Sequence, residues 1–253
     1  MSRSSFTEDF KPIPVRRTPG VVGAALFELR LVVDLQLLTC VRFLAPRLAR
    51  MSGKVLDVGC GEMPFRSLLP ADASYTGIDV ASAQAFGMGS NPDIVAFDGR
   101  VIPFPDASFD HVLCTEVLEH VEAPTGLIGE MLRVLRPGGT ILVTVPFSAR
   151  VHHAPHDFQR FTRFQLAKLF DPFRDVEIEE RGDDLAVIAN KLVAVAARLA
   201  KPRPSLSALW RLPILAALTP IVLIALLVAH LSMLFGWGSR MDPLGYAVQA
   251  TKG

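Results

Sequence analysis

Residues 152–162, "HHAPHDFQRFT", place three histidines, an aspartate and an arginine within eleven positions. Imidazoles grouped with carboxylates hold divalent cations, and an imidazole titrating near neutrality can take a proton from an attacking nucleophile. The second half of the stretch has a structural reading. Thr162 and Gln165 form a T-x-x-Q capping box, with Phe161 and Leu166 as its hydrophobic staple, so "FTRFQL" starts a helix. That leaves His152, His153, His156 and Asp157, with Arg160 behind them, for chemistry. Upstream, "EVLEH" sets Glu116, Glu119 and His120 at i, i+3 and i+4, on one face if that turn is helical. Joined by His156, these would make an octahedral Mg²⁺ or Mn²⁺ site. The alternative is acid–base work, with His153 or His156 as the base, Asp157 beside it and Arg160 holding an anionic substrate group.

A second chemical group lies in "VLDVGCGEMPF" (55–65), an apolar strand entering a glycine turn and a helix start at Pro64. Gly59 and Gly61 let the backbone approach a ligand closely. A dinucleotide fingerprint would require a third glycine at 64, where proline stands, which argues against a nicotinamide oxidoreductase. Twenty-two residues beyond Asp57, Asp79 ends a second strand in "GIDV", the place for an acid that takes both hydroxyls of a ribose. Asp98, in "FDGR", either faces an adenine edge or serves its own turn before Gly99.

The elements that position these groups read as α/β. Short apolar runs at 54–59, 74–80, 93–97, 109–114 and 139–147 are strands. A helix between the last two carries Leu127, Met131 and Leu135 on one face and stops at Pro137-Gly138-Gly139. This alternation is the pattern of a parallel sheet with crossover helices. Residues 21–50 read as a preceding helix, with Leu26, Leu29, Val33, Leu37, Val41 and Leu44 at helical spacing. The first twenty residues read as a mobile arm, polar and without the apolar core of a secretory leader.

At these motifs the sequence resembles the class I S-adenosylmethionine-dependent methyltransferases, over about residues 53–180. "VLDVGCG" resembles their first motif and "GIDV" their ribose-binding acid; "FDHVLCTEVLEHV" and "EMLRVLRPGGTILVTVPF" resemble their fourth and fifth strands. The resemblance implies a Rossmann-like seven-stranded sheet and S-adenosylmethionine as cofactor. It implies that Asp57, Gly59 and Gly61 surround the methionine portion, that Asp79 holds the ribose and Asp98 the adenine side, and that Glu116 lies near the sulfonium. The family often has a further glycine where this chain has Met63, which could narrow the site. The "EVLEH" pattern also resembles metal-dependent methyltransferases of small-RNA 3′ ends or ubiquinone precursors. "PHDFQRFT" resembles a loop of methyltransferases in bacterial glycan and lipid-glycan synthesis.

The formal net charge of +1 supplies no field that would recruit nucleic acid, and three scattered cysteines form no disulfide or zinc framework. The mean hydropathy of +0.36 is high, and its source is local. From Leu212 to Ser239, 28 positions pass without Asp, Glu, Lys or Arg, beyond the ~18 residues of a transmembrane candidate. Before it, residues 183–201 read as a basic amphipathic helix, with Leu185, Ile188, Leu192, Val195 and Leu199 on one face and Lys191 and Arg198 on another, suited either to an anionic membrane surface or to packing on residues 21–50. Thr219-Pro220 looks like a cap and first turn, leaving a helix too short to cross.

The tail, "LGYAVQATK", alternates as an edge strand and resembles the last, antiparallel strand of the methyltransferase sheet. If it pairs there, residues 184–239 form a membrane-associated hairpin and the bilayer is not crossed. The rival is a single crossing with the tail outside. The organisation expected is therefore an arm (1–20), a methyltransferase domain (21–183), an apolar hairpin (184–239) and a tail strand (240–253). The function expected is methyl transfer to an O or N atom of a small, lipid-linked, glycan or other hydrophobic acceptor at the cytoplasmic side of a membrane. A non-catalytic cofactor-binding module, or a Mg-dependent enzyme of soluble or RNA acceptors, is the alternative.

Overall fold

A computed structural model describes residues 13–18, 20–81, 88, 91–201 and 208–253. Most of the expected arm and the connection at 202–207 lie outside the described residues. Among the described residues seven strands form one sheet: β1 (Lys54–Val58), β2 (Ser74–Val80), β3 (Ile94–Phe97), β4 (Phe109–Thr115), β5 (Leu135–Pro146), β6 (Arg174–Arg181) and β7 (Gly245–Thr251). Their order is β3-β2-β1-β4-β5-β7-β6. Strands β1 to β5 pair in parallel, and β7 runs antiparallel between β5 and β6. This is the Rossmann-like sheet with N-terminal helices and a C-terminal apolar helix.

Side chains alternate across the pleat, so each strand feeds two cores. Leu56, Val112, Ile141 and Val248 face the core under α3 (Pro124–Val134) and α4 (Arg163–Leu169). Val55, Leu113, Leu142 and Ala247 face the other core, under α2 (Leu35–Leu48), α5 (Asp184–Ala200) and α6 (Ala208–Phe235). At α4 the Thr162 hydroxyl accepts from the Gln165 N–H at 3.3 Å, and Phe161 and Leu166 are buried beneath it.

Several local expectations are corrected. The N-terminal helix is two, α1 (Val21–Val33) and α2, broken at Asp34. The Asp34 carboxylate accepts from the Leu37 N–H at 3.1 Å and so caps α2 rather than continuing α1. After the glycine turn only one tight turn, Arg66–Leu68, forms, because Pro64 and Pro70 leave too short a run for a helix. Leu135 begins β5 instead of ending α3, since Pro137 biases Arg136 to extended backbone.

Pro220 does not start a helix. It lies inside α6, 28 residues long, and the Thr219 hydroxyl donates to the Leu215 carbonyl within it. On α5 the buried residues are Ala186, Val187 and Ala189, while Ile188 is exposed. Ala186 and Ala189 let α5 pack closely on the core it shares with α2 and α6, and Leu192 and Val193 are partly buried against it as well.

The neck between sheet and hairpin is tightly closed. The Asp183 carboxylate accepts from the Ala186 N–H and the Ser232 hydroxyl. Ser239 exchanges two hydrogen bonds with Asp184. The start of α5 thus meets the end of α6, and the chain returns directly into β7.

Candidate functional site

β1 and β4 are neighbours whose chains continue in opposite directions across the sheet, and a crevice opens past their C-terminal ends. It contains a cavity of about 650 Å³, within the range of small-molecule sites. Gly59, Gly61, Thr115, Glu116, Pro146 and His152 line the sheet side. The opposite wall is mixed: Val15, Val33, Leu37, Val193 and Ala194, from the N-terminal segment, α1, α2 and α5, stand beside Arg30, Asp34, Gln36, Asn190 and Lys191. Residues 13–18 are tethered there: Arg30 donates to the Ile13 and Pro14 carbonyls at 2.8 and 3.0 Å.

The glycine turn is built for close approach. Gly59 and Gly61 have φ of 71° and 52°, which side-chain-bearing residues rarely adopt. A Cβ on Gly59 would lie 2.4 Å from Val117 Cγ2, so the loops after β1 and β4 touch only because it is absent. Met63 keeps a glycine-like backbone, φ 52°. Its sulfur lies over Gly77, 3.4 Å from where a Cβ would stand, and Met63 is not part of the cavity wall. It does not narrow the site.

The three aspartates differ in place. Asp79 accepts from the Gly61 N–H at 2.8 Å and the Val80 N–H at 2.7 Å. Burial raises its pKa, with those two N–H groups opposing the rise. Two N–H donors leave about half of a carboxylate's acceptor positions open. Asp57 lies beneath the turn, 1% exposed, and the Tyr75 hydroxyl donates to it at 2.6 Å. Burial pushes its carboxyl up to about 7 against that hydrogen bond. Asp98 is exposed, and its Oδ1 accepts from the Arg100 and Val101 N–H groups, 2.8 Å each. That oxygen serves the turn before Gly99.

Glu116 lines the cavity in a left-handed conformation, φ 54°. Its Oε1 accepts from Arg181 Nη2 at 2.7 Å. Burial raises its pKa, and Arg181 pulls the other way. Arg181 is the functional residue that sequence reasoning missed. It is buried and also reaches Cys40, Thr39 and the carbonyls of Gln36, Val145 and Tyr246. The only sequence signal was a basic residue ending an acidic strand, "EIEERG".

The histidine loop assembles differently from either expectation. Among the described residues the ligand-type cluster is Glu119, His120 and His152. Glu116 is committed to Arg181, and His156 contributes its main-chain carbonyl, 2.7 Å from His120 Nδ1. His156 is exposed with its ring against Phe158, whereas His153 packs edge-on to His120. Neither lines the cavity; His152 does.

His152 Nδ1 lies 3.1 Å from the Arg150 carbonyl and 3.3 Å from Asp157 Oδ2. A proton on Nδ1 leaves Nε2 with the lone pair. Burial pulls the His152 pKa down, but Glu119 and Asp157 outweigh it and the net shift is upward. Arg160 does not reach toward a substrate. Its fork grips Asp157 at 2.5 and 2.8 Å, and it overcomes the burial that would raise that carboxyl, leaving it low.

Glu119 is fully buried, and neither oxygen has a hydrogen-bond partner among the described residues. The Nε2 atoms of His120 and His152 face it at 3.6 and 3.7 Å. Two imidazole nitrogens and a carboxylate therefore converge.

Residues 56–143, about a third of the chain, match the methyltransferase domain family. This stretch, which holds the glycine turn, Asp79, Asp98 and Glu116, is similar to a methyltransferase domain. Among curated relatives, the ubiquinone biosynthesis O-methyltransferase of Xanthomonas oryzae pv. oryzae is 36% identical over 114 residues, 40% of this chain and 46% of the relative. The 27-O-demethylrifamycin SV methyltransferase of Amycolatopsis mediterranei is 34% identical over 103 residues, 36% of this chain and 38% of the relative. The chain thus spans less than half the length of these relatives. Among solved structures, an S-adenosylmethionine-dependent methyltransferase from Archaeoglobus fulgidus has TM-score 0.53 at 18% identity, covering 90% of this chain and 99% of its own. The [4+2]-cyclase SpnF also has TM-score 0.53, at 23% identity over 85% of this chain and 81% of its own. At these identities the structures share the methyltransferase fold, and the cyclase is a reminder that a fold hosts several chemistries.

Proposed function

We propose that the methyltransferase domain binds S-adenosylmethionine in the crevice and directs methyl transfer to an oxygen of a hydrophobic, lipid-linked or glycan-bearing acceptor at the cytosolic face of a membrane. The observation that carries this reading is one cavity lined by the glycine turn, to which Asp79 is bonded through the Gly61 N–H, by Glu116, and by His152 backed by Asp157, with apolar side chains of α1, α2 and α5 among those across from them. The bound cofactor supplies an electrophilic methyl group on a sulfonium. Asp79 would take the ribose hydroxyls, the Gly59–Gly61 turn would admit the methionine portion, and Glu116, held by Arg181, would sit toward the positive sulfur.

The cavity-lining His152 is the base in this reading, in place of His153 or His156, with Asp157 and Glu119 flanking its ring and Arg160 fixing Asp157. Holding both reactants in line supplies ~7–11 kcal/mol, and a positioned base adds ~10²–10⁴-fold. Oxygen is preferred as the attacked atom because both curated relatives are named for O-methylation. The test is calorimetry with S-adenosylhomocysteine alongside transfer from methyl-labelled donor. Asp79→Ala should weaken cofactor binding about tenfold or more, and His152→Ala should bind it normally yet turn over poorly. Unchanged affinity in the first, or full turnover in the second, removes the assignment.

A second reading is favoured by one observation, the buried, unpartnered Glu119 carboxylate facing two imidazole nitrogens. A divalent cation held by Glu119, His120 and His152 would satisfy all three, and two nitrogen donors suit a transition ion better than Mg²⁺. Elemental analysis of protein purified without chelator decides it. A stoichiometric metal lost in His120→Ala supports the site, and metal-free protein with full turnover removes it.

A further inference from the structure

We propose that the outer faces of α6 and α1 form a monotopic docking surface that lies along an anionic phospholipid bilayer. This deepens the membrane part of the reading above and rests on it only for the purpose of docking. Within Trp210–Phe235 an 18-residue stretch has a mean hydropathy of 2.7, and 17% of that stretch is buried. The helix's inner stripe, Val222, Leu226, Ala229 and Ser232, packs into the core. The outer face carries Leu212, Ile214, Ile221, Leu223, Ile224 and Leu227, all exposed. The one hydroxyl on that stretch, Thr219, is turned back to the Leu215 carbonyl at 2.7 Å. A water-facing helix would be polar there. Against α6, His230 Nε2 meets the Val32 carbonyl at 2.9 Å, so the surface continues onto α1, whose Val21, Val22, Leu26 and Leu29 are also exposed. A continuous apolar surface of this extent marks an interaction site.

Charge and topology select the partner. No Asp or Glu stands between Asp184 and Asp242, while Lys191, Arg198, Lys201, Arg203, Arg211 and Arg240 do, a balance suited to anionic headgroups. The chain's two tryptophans, Trp210 and Trp237, stand at the two ends of α6, both exposed, where interfacial anchors belong. The closed neck at Asp183–Ser232 and Asp184–Ser239 returns both ends of the hairpin to one sheet. Deep insertion would carry Lys191 and Arg198 into hydrocarbon. The hairpin therefore lies along the interface. Val33 is half-exposed and also lines the cavity, so the cavity mouth borders the docking surface and a lipid-borne acceptor can enter without leaving the bilayer.

The test is flotation of the full chain, purified in detergent and reconstituted with vesicles of phosphatidylcholine alone or mixed with phosphatidylglycerol. The wild type should float with the mixed vesicles, less with neutral ones, and less at high salt. Leu223 and Leu227 are 61% and 59% exposed, so Leu223→Asp/Leu227→Asp should keep its melting temperature and S-adenosylhomocysteine affinity. Its partition should fall about a hundredfold, since two apolar contacts are lost and two charges gained. Three outcomes overturn the proposal: a wild type that stays at the bottom with both vesicles, a variant that floats equally, or a vesicle-independent dimer that the same substitutions dissolve. Cofactor affinity, measured in the same samples, keeps failure of docking distinct from failure of the methyltransferase reading.

Discussion

Replacing Arg181 with methionine isolates the contact that holds Glu116 at the cavity. Arg181 is 3% exposed and donates six hydrogen bonds, one to Glu116 Oε1 at 2.7 Å. Removing the buried partner leaves Glu116, 30% exposed at the cavity, uncompensated and orphans the carbonyls that Arg181 satisfies, together costing about 3–5 kcal/mol, a large part of the ~5–15 kcal/mol that folding provides. At ~2–4 °C per kcal/mol for a chain of this size, the melting temperature should fall by about 6–20 °C. Glu116→Gln in the same background removes the stranded charge, so the double variant should recover about 1–3 kcal/mol relative to additivity. Low pH should do the same to the single variant. Burial already raises the Glu116 carboxyl, and loss of Arg181 raises it further, so the stability gap to wild type narrows as pH falls and that carboxyl becomes neutral. The assay is denaturant melts of the four proteins of the cycle at two pH values, with S-adenosylhomocysteine calorimetry on each. Additive losses and a gap independent of pH would refute the reasoning, because the pair would then not be coupled.

Asp57 predicts a second pH effect of defined sign. Its folded pKa, about 7, stands above the ordinary 3.8. Its contribution is therefore fully present below about pH 4 and is lost as pH rises to about 7, each unit being worth about 1.4 kcal/mol. Asp57→Asn should flatten the stability profile across that window; an unchanged slope contradicts it. Gly59→Ala places a Cβ 2.4 Å from Val117 at φ 71° and should cost about 1–3 kcal/mol together with cofactor affinity, read by melts and calorimetry. Asp157→Asn should lower turnover about 10²-fold or more by releasing the His152 ring, whereas His156→Ala, outside the cavity, should stay within a few-fold of wild type. A reversed ranking in initial rates would return the base to His156.

The strands and the glycine turn were legible because their signals are local. Alternation such as Val55-Leu56 and the "DVGCG" turn carry their geometry within a few residues. Asp34 was not, because Leu29, Val33 and Leu37 keep helical spacing straight through a residue that caps the next helix. Pro220 looked like a boundary, and only packing of α6 on α2 and α5 shows how the helix continues through it. The loop histidines were legible as a group. Which of them turns inward was not, since it depends on the left-handed His153 and on Asp157 reaching back to His152. Arg181 was invisible for a plainer reason. Its partners lie 36 to 145 positions away, and no local pattern encodes them.

The most direct test of the central claim is transfer from methyl-labelled S-adenosylmethionine to membrane lipids of the host, with wild type and His152→Ala compared after organic extraction. The account predicts label in the organic phase for the wild type and little for the variant. Tight cofactor binding with no label in any phase, at any acceptor concentration, would contradict it and make the domain a binding module or the seat of another reaction.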